Sequence, residues 1–212
     1  MITTNDAVQK IASLVSDRGG RAYMVGGCVR DKLMGREPKD IDIEVHGIMP
    51  DELKSLLSEI DEPMSFGESF GIYSLRGLDI DIAMPRREHA VGKGHRDFEV
   101  DVDPFIGTRN AAIRRDFTIN AMMQDVLTGE LIDHFGGLDD LKNGMIRHVN
   151  AESFVEDPLR VFRAAQFASR FGFRVADETV ELCKSMATET LSSERVEGEL
   201  KKALMGSMHP SV

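Results

Sequence analysis

Apolar residues recur at helical spacing over residues 4–19, where Ile11, Leu14 and Val15 share one face and Gly19-Gly20 ends the pattern. Ala22 to Val25 is a short apolar run, predicted as a strand, that enters Gly26-Gly27; Val29 to Leu33 then begins a second helix. The segment Ile41-Asp42-Ile43-Glu44-Val45 alternates strictly, as a half-buried strand does. From Pro50 to Ile60 a helix carries Leu53, Leu56 and Leu57 on one face, and Ile72–Leu75 with Leu78–Ala83 predicts a hairpin turning at Arg76-Gly77. Between Arg86 and Arg109 the pattern lapses into charges, glycines and two histidines (His89, His95), which predicts a long loop of functional use.

Periodicity returns as a predicted helix over Asp116–Gln124. Leu131-Ile132 and Met145–Val149 predict a second hairpin, and helices are expected at 152–171, 177–188 and 193–205. Strands therefore stop near residue 150 in this reading. It implies an α/β domain over 1–150 built on a small mixed sheet, then an all-helical domain over 151–212. The chain ends at Met208-His209-Pro210-Ser211-Val212, just after a helical pattern, so the helical domain is expected to be truncated at its C-terminus.

Composition narrows the classes. No run of about 18 apolar residues occurs, so no transmembrane helix and no membrane partner is expected. The start, MITTNDAVQK, lacks the basic-then-apolar order of a signal peptide. Cys28 and Cys183 stand far apart and suggest no disulfide framework, which makes a reducing cytoplasm the expected compartment. A formal net charge of −10 argues against a nucleic-acid partner taken alone. A metal site that gathers carboxylates, and a missing RNA-binding remainder, would reconcile the two.

Carboxylates are the strongest chemical signal. With a two-residue period, Asp40 and Asp42 fall on one face while Ile41 and Ile43 anchor the strand in the core. Two carboxylates about 7 Å apart along a strand repel unless a cation lies between them, and magnesium prefers such oxygen ligands. Leu78-Asp79-Ile80-Asp81-Ile82 repeats the design, so Asp79 or Asp81 can supply a third acid for two divalent ions. A lone D-x-D is more often only a solvent-facing strand; two such runs after a glycine turn are not. That turn, Val25-Gly26-Gly27-Cys28-Val29-Arg30-Asp31, allows close approach of a phosphate to the backbone, with Arg30 one turn into the following helix. It is not the dinucleotide fingerprint, because G-x-G-x-x-G is missing.

Together, Gly26-Gly27-Cys28-Val29-Arg30-Asp31, Leu33-Met34-Gly35 and Asp40-Ile41-Asp42 resemble the head-domain signature of one family. It comprises the class II CCA-adding tRNA nucleotidyltransferases and the bacterial poly(A) polymerases, with a polymerase-β-like nucleotidyltransferase fold. Arg114-Arg115-Asp116-Phe117-Thr118-Ile119-Asn120-Ala121-Met122 resembles its second motif, Glu156-Asp157-Pro158-Leu159-Arg160 its nucleotide-selecting motif, and Ser193-Glu194-Arg195-Val196 its last neck motif. The resemblance implies a catalytic head over 1–150 and a nucleotide-selecting helical neck over 151–212. It implies two magnesium ions on Asp40, Asp42 and Asp81, with ATP and CTP as substrates and the tRNA 3′ end as partner. Nucleotide contacts would come from Gly26, Gly27, Arg30, Arg115, Asp116 and Asn120, and base reading from Asp157 and Arg160 with help from Arg163. One departure is visible: Gln166 stands where many relatives carry another arginine, which removes a triphosphate contact there.

Base selection also has a basis independent of the family. Asp157, Arg160 and Arg163 are spaced by three on a predicted helix and share a face. Aspartate accepts hydrogen bonds and arginine only donates, so the pair matches the amine-beside-acceptor edge of cytosine and adenine and mismatches uracil and guanine. Each buried mismatch costs about 1–3 kcal/mol. Asp116 is read as a helix cap compatible with phosphate binding, Asn120 as mainly a structural hydrogen-bonder, and Phe117, Ile119 and Met122 as core. The six histidines lack paired metal spacing, and Cys28 has no base beside it to make it a nucleophile.

The chemistry that follows is attack of an RNA 3′-hydroxyl on the α-phosphorus of a nucleoside triphosphate. Poly(A) synthesis or partial addition (CC or A only) lies within the same class. A small-molecule nucleotidyltransferase would share the D-x-D strand without needing Asp157 and Arg160, and a non-catalytic RNA-binding domain would lack a carboxylate and carry basic stripes.

Overall fold

The computed structural model describes residues 3–61, 63–65, 72–75, 78–90, 98–189 and 191–206. They form two compact units interleaved in sequence, the first from residues 1–111 and 122–132, the second from 112–121 and 133–212.

The first unit runs α1 (Thr4–Asp17), β1 (Arg21–Val25), α2 (Gly27–Leu33), β2 (Ile41–His46), α3 (Pro50–Leu57), β3 (Pro63–Ser65), β4 (Ile72–Leu75), β5 (Ile80–Ala83), β6 (Arg86–Ala90) and β7 (Phe98–Val102). It continues with the start of α4 (Thr108–Ile113) and, after an excursion, β8 (Met123–Asp125) and β9 (Leu131–Ile132). Thr3 caps α1 by accepting from the Asp6 N–H, and Pro50 starts α3 with a backbone angle already helical. Seven strands form one sheet in the order β3-β4-β5-β2-β1-β8-β9, mixed because β2 and β5 run parallel while their other neighbours are antiparallel. Ile11 and Val15 of α1 and Leu53, Leu56 and Leu57 of α3 pack in one core with Ile43, Val45, Ile80 and Ile82, all essentially inaccessible. The apolar half of each alternating strand is thereby buried against helices, and the acidic half is turned to the other face.

The second unit contains the end of α4, a 3-10 turn (Thr118–Asn120), α5 (Gly137–Lys142), β10 (Met145–Ile146), α6 (Ala151–Phe154), α7 (Leu159–Phe171), β11 (Arg174–Val175), α8 (Asp177–Lys184) and α9 (Ser193–Gly206). Phe117 and Phe154 are fully buried, and Phe117 meets both Phe154 and Phe167 edge-on at 5.7 Å between ring centres. α9 packs along α7. Among the described residues no helix is long and apolar enough to cross a membrane.

Several sequence expectations are corrected. The alternating strand β2 is half-buried only at its start: Glu44 is 1% and His46 8% exposed, because β2 lies inside a seven-stranded sheet and the two side chains pair with each other at 2.9 Å. Residues 86–109 are not one loop. β6 and β7 form an antiparallel ribbon, and α4 begins at Thr108. Residues 91–97, with His95, lie outside the described residues, as do the expected turn at Arg76-Gly77 and the chain end at 207–212.

The predicted helix over 116–124 is only a 3-10 turn followed by β8. Residues 116–123 are buried throughout, and pairing of β8 with β1 satisfies backbone groups that a helix would have satisfied internally. β9 pairs with β8, and β10 pairs in parallel with β11, so the expected hairpin between 131–132 and 145–149 does not form, and strand structure continues past residue 150. The expected helix over 152–171 is broken ahead of Pro158 into α6 and α7, since proline disfavours helical backbone in the residue before it.

Candidate functional site

Asp42 and Asp81 are register partners on the parallel pair β2/β5, so their side chains leave the same face of the sheet. Adjacent strands are about 4.8 Å apart, which places the two carboxylates within reach of a shared cation. Asp40 and Asp79 each precede their strands on the same two-residue period, and the Ile41 N–H donates to the Asp79 carbonyl at 3.0 Å, extending the pairing one step. Asp40, Asp79 and Asp81 are exposed and line a cleft of ≈ 390 Å³ together with Met64, Ser74 and Leu78; Asp42, beside it, is half-buried.

Among the described residues no three His, Cys, Asp or Glu side chains close into a ready-made metal cage. The donor set is nevertheless all oxygen, drawn from neighbouring strands, and open on one side. That fits magnesium, which keeps waters or substrate phosphates in its shell. Of the two acids the sequence left open, Asp81 is the one across from Asp42.

The glycine turn sits at the end of β1, next to β2. Gly26 has φ +71° and ψ −134°, a conformation that a side chain strongly disfavours, and this lets the chain reverse into α2. A Cβ on Gly27 would lie 3.3 Å from Nη2 of Arg30, so Arg30 is folded back over the turn. Its guanidinium is buried, donating from Nε at 2.8 Å and lying 2.7 Å through Nη2 from Oδ1 of Asp31. Arg30 is thus charge-compensated within its own helix. Cys28 donates to the Val25 carbonyl at 3.1 Å, and burial pushes its thiol up, away from nucleophilic use.

In the second unit Asp116 is the hub. Its Oδ1 accepts from the Phe117 N–H (2.7 Å) and Asn120 Nδ2 (3.0 Å); its Oδ2 accepts from Nε of Arg163 (2.8 Å) and lies 2.6 Å from Nη2. Burial alone would raise this carboxyl, but the Arg163 charge and the donated hydrogen bonds hold it below the usual carboxylate range. With four donors Asp116 has no acceptor site left for a nucleotide, and Asn120 is one of the groups that fill it.

Asp157 and Arg160 meet through the backbone, the Arg160 N–H donating to the Asp157 carbonyl at 3.0 Å, while their side chains bond to other partners. Asp157 stands just before α7, not on it, and accepts from the Leu159 N–H at 3.2 Å and from Arg195 of α9. Arg160 donates from Nη1 to the Ser153 carbonyl (2.8 Å) and from Nη2 to the Arg114 carbonyl (2.6 Å), and lies over the Phe154 ring at 5.8 Å. Arg115 is half-buried beside Asp116. The sequence reading assigned no role to Arg195 or Glu199; the latter is 4% exposed and 3.9 Å from Nη1 of Arg163. The signals that could have found them are the last neck motif, which contains Arg195, and the i,i+4 spacing that puts both on one face of α9.

Residues 22–147 match the family described as "Poly A polymerase head domain". Among curated proteins the chain is 41% identical over 195 residues to the "Multifunctional CCA protein" of Nitrosomonas europaea, covering 90% of this chain and 45% of that protein. It is 41% identical over 192 residues to the "CCA-adding enzyme" of Alteromonas mediterranea, covering 87% and 47%. Among solved structures it resembles the Thermotoga maritima CCA-adding enzyme complexed with tRNA (TM-score 0.78, 32% identity, 96% of this chain and 47% of that one). It also resembles the Bacillus stearothermophilus CCA-adding enzyme in complex with CTP (TM-score 0.80, 28% identity, 97% and 50%). The chain spans about half the length of the curated relatives it matches.

Proposed function

Because the chain belongs to the poly A polymerase head domain family, we propose that it is a template-independent nucleotidyltransferase that adds C and A from CTP and ATP to the 3′ end of tRNA. The observation that carries this reading is the register pair Asp42 and Asp81 on central parallel strands, with Asp40 two residues upstream and the Gly26-Gly27 turn on the neighbouring strand. Asp40, Asp42 and Asp81 would hold two magnesium ions. When bound, these supply the positive charge that activates a ribose hydroxyl and compensates a departing pyrophosphate. The Gly26-Gly27 backbone binds and orients the triphosphate, with Arg30 contributing once it is released from Asp31; Arg115 is the nucleotide contact proposed for the second unit. Fixed cations near the leaving group act without reorganisation at the moment of transfer.

The labour divides near residue 150, with the carboxylates before it and the selecting residues Asp157 and Arg160 after it. An acceptor from Asp157 and donors from Arg160 match cytosine and adenine and leave uracil and guanine unpaired. Asp116 and Arg163 support that pair. The reaction belongs in the cytoplasm, where tRNA 3′ ends are accessible. The acidic chain (net charge −10) is consistent with a triphosphate held by metal ions more than by basic side chains.

The test is incubation with magnesium, tRNA lacking its 3′-terminal CCA, and each labelled triphosphate separately and together. The expected result is incorporation of C and then A, abolished by Asp42→Asn. Transfer that survives Asp42→Asn and Asp40→Asn would sink the assignment, and long A tracts without C would move the chain to the poly(A) branch.

A further inference from the structure

The acid expected to read the base is gripped by a second helix. From α9, Nη2 of Arg195 donates to both carboxylate oxygens of Asp157, 3.1 Å to Oδ1 and 3.2 Å to Oδ2. The Leu159 N–H adds a third bond, to Oδ1 at 3.2 Å. A carboxylate offers about four lone-pair sites. Oδ1 is therefore filled, and Oδ2 keeps a single acceptor site.

Arg160, one turn further, spends one N–H of each terminal nitrogen on the carbonyls of Ser153 and Arg114 and keeps its other donors. What remains is one acceptor on Asp157 and donors on Arg160, the complement of an edge that shows an amine beside a ring-nitrogen acceptor. A carboxylate free to turn would present acceptors in every direction and attract a base's N–H groups without regard to their pattern. Pinned, it presents one.

This contact does little for stability. Its side chains are 44% and 34% exposed, and solvent screens such pairs. It joins residues 38 apart in sequence and acts on the one side chain whose orientation matters. We propose that Arg195 is a positioning residue for nucleotide selection, fixing the Asp157 carboxylate so that only its Oδ2 site faces an incoming base. The proposal rests on the reading of Asp157 and Arg160 as base readers. Glu199, one turn along α9, lies 3.9 Å from Nη1 of Arg163, a looser charge contact, and Lys202 Nζ donates to its Oε1 at 2.7 Å.

The experiment uses the whole 212-residue chain with magnesium and measures affinity for CTP, ATP, UTP and GTP in turn by titration calorimetry. The variants are Arg195→Ala, Arg195→Lys, Asp157→Ala and the double alanine variant. Arg195→Ala is expected to reduce the preference for CTP and ATP over UTP and GTP roughly tenfold, the scale of one misdirected hydrogen bond. Arg195→Lys restores part of it, and Arg195→Ala changes nothing further in an Asp157→Ala background. The preference is a ratio of affinities, so it does not depend on the fraction of a variant that is folded. If Asp157→Ala relaxes the preference and Arg195→Ala leaves it at the wild-type value, the positioning role is overturned while base reading by Asp157 stands. If the wild-type chain shows no preference, or Asp157→Ala retains it, base reading fails and the positioning role fails with it.

Discussion

Replacing Asp116 with asparagine removes one charge from a side chain 9% exposed and leaves its shape almost unchanged. In the native hub, two carboxylate oxygens take four donors. Asparagine keeps one oxygen to serve Phe117 or Arg163, but its amide nitrogen then meets a donor where an acceptor stood. Breaking a buried ion pair from one side costs about 3–5 kcal/mol. Here the Arg163 side chain is 30% exposed and Glu199 lies 3.9 Å away to share its charge, so the cost falls just below that range, at about 2–3 kcal/mol.

At roughly 2–4 °C per kcal/mol for a chain of this size, the melting temperature should fall by about 4–12 °C. Urea unfolding followed by circular dichroism measures the loss directly as a lowered midpoint with an unchanged slope. Adding Arg163→Met should then cost less than the two single changes combined, by about 1 kcal/mol or more, because the orphaned cation is gone. A loss below about 0.5 kcal/mol, or strict additivity, would refute the view of Asp116 as the buried support of Arg163.

The same hub sets an acid limit. Asp116 is held below its ordinary value, so its contribution is complete above the unfolded value of about 3.9 and is lost as pH falls through the folded value; Asp116→Asn should flatten stability against pH below about pH 4. His148 acts higher. Burial first and the Arg147 charge second hold its imidazole below the ordinary value while Nδ1 contacts Thr179 Oγ1 at 2.8 Å. The unfolded chain then binds the proton more readily, so stability is full above about pH 6.5 and declines as pH falls below it. Melting curves of His148→Gln between pH 7 and 5 should show a shallower decline than wild type. Asp81→Asn should lower transfer roughly a hundredfold or more, with Asp79→Asn milder, because only Asp81 is across from Asp42; equal losses in a primer-extension assay would contradict the register argument. Gly26→Ala should cost about 1–3 kcal/mol in urea unfolding, since φ +71° with ψ −134° admits a Cβ only under strain.

Much of the first unit was legible one residue at a time. α1, β1, α2, α3 and the β4/β5 hairpin follow from local periodicity, because each buries one apolar stripe or alternate side chains and local spacing encodes which. The acids Asp40 and Asp42 were legible for the same reason, and the second alternating run offered Asp79 or Asp81 as a third: two such runs must put their carboxylates on the face opposite their isoleucines. The order of strands across the sheet was not, and that order set Asp81 across from Asp42 and buried Glu44 with His46.

Residues 116–124 show the limit most clearly. Every side chain from 116 to 123 is buried, so no solvent-facing period distinguishes helix from strand; the free edge of β1, some hundred residues earlier, recruits β8. In the second unit the sequence identified Asp157, Arg160 and Arg163 by a family motif and by their spacing. Only tertiary packing decided what each one holds: α9 brings Arg195 to Asp157, two backbone carbonyls take Arg160, and Asp116 takes Arg163. Periodicity is a property of neighbours along the chain. A hydrogen bond between residues 157 and 195 depends on how two helices pack, and no local pattern carries that information.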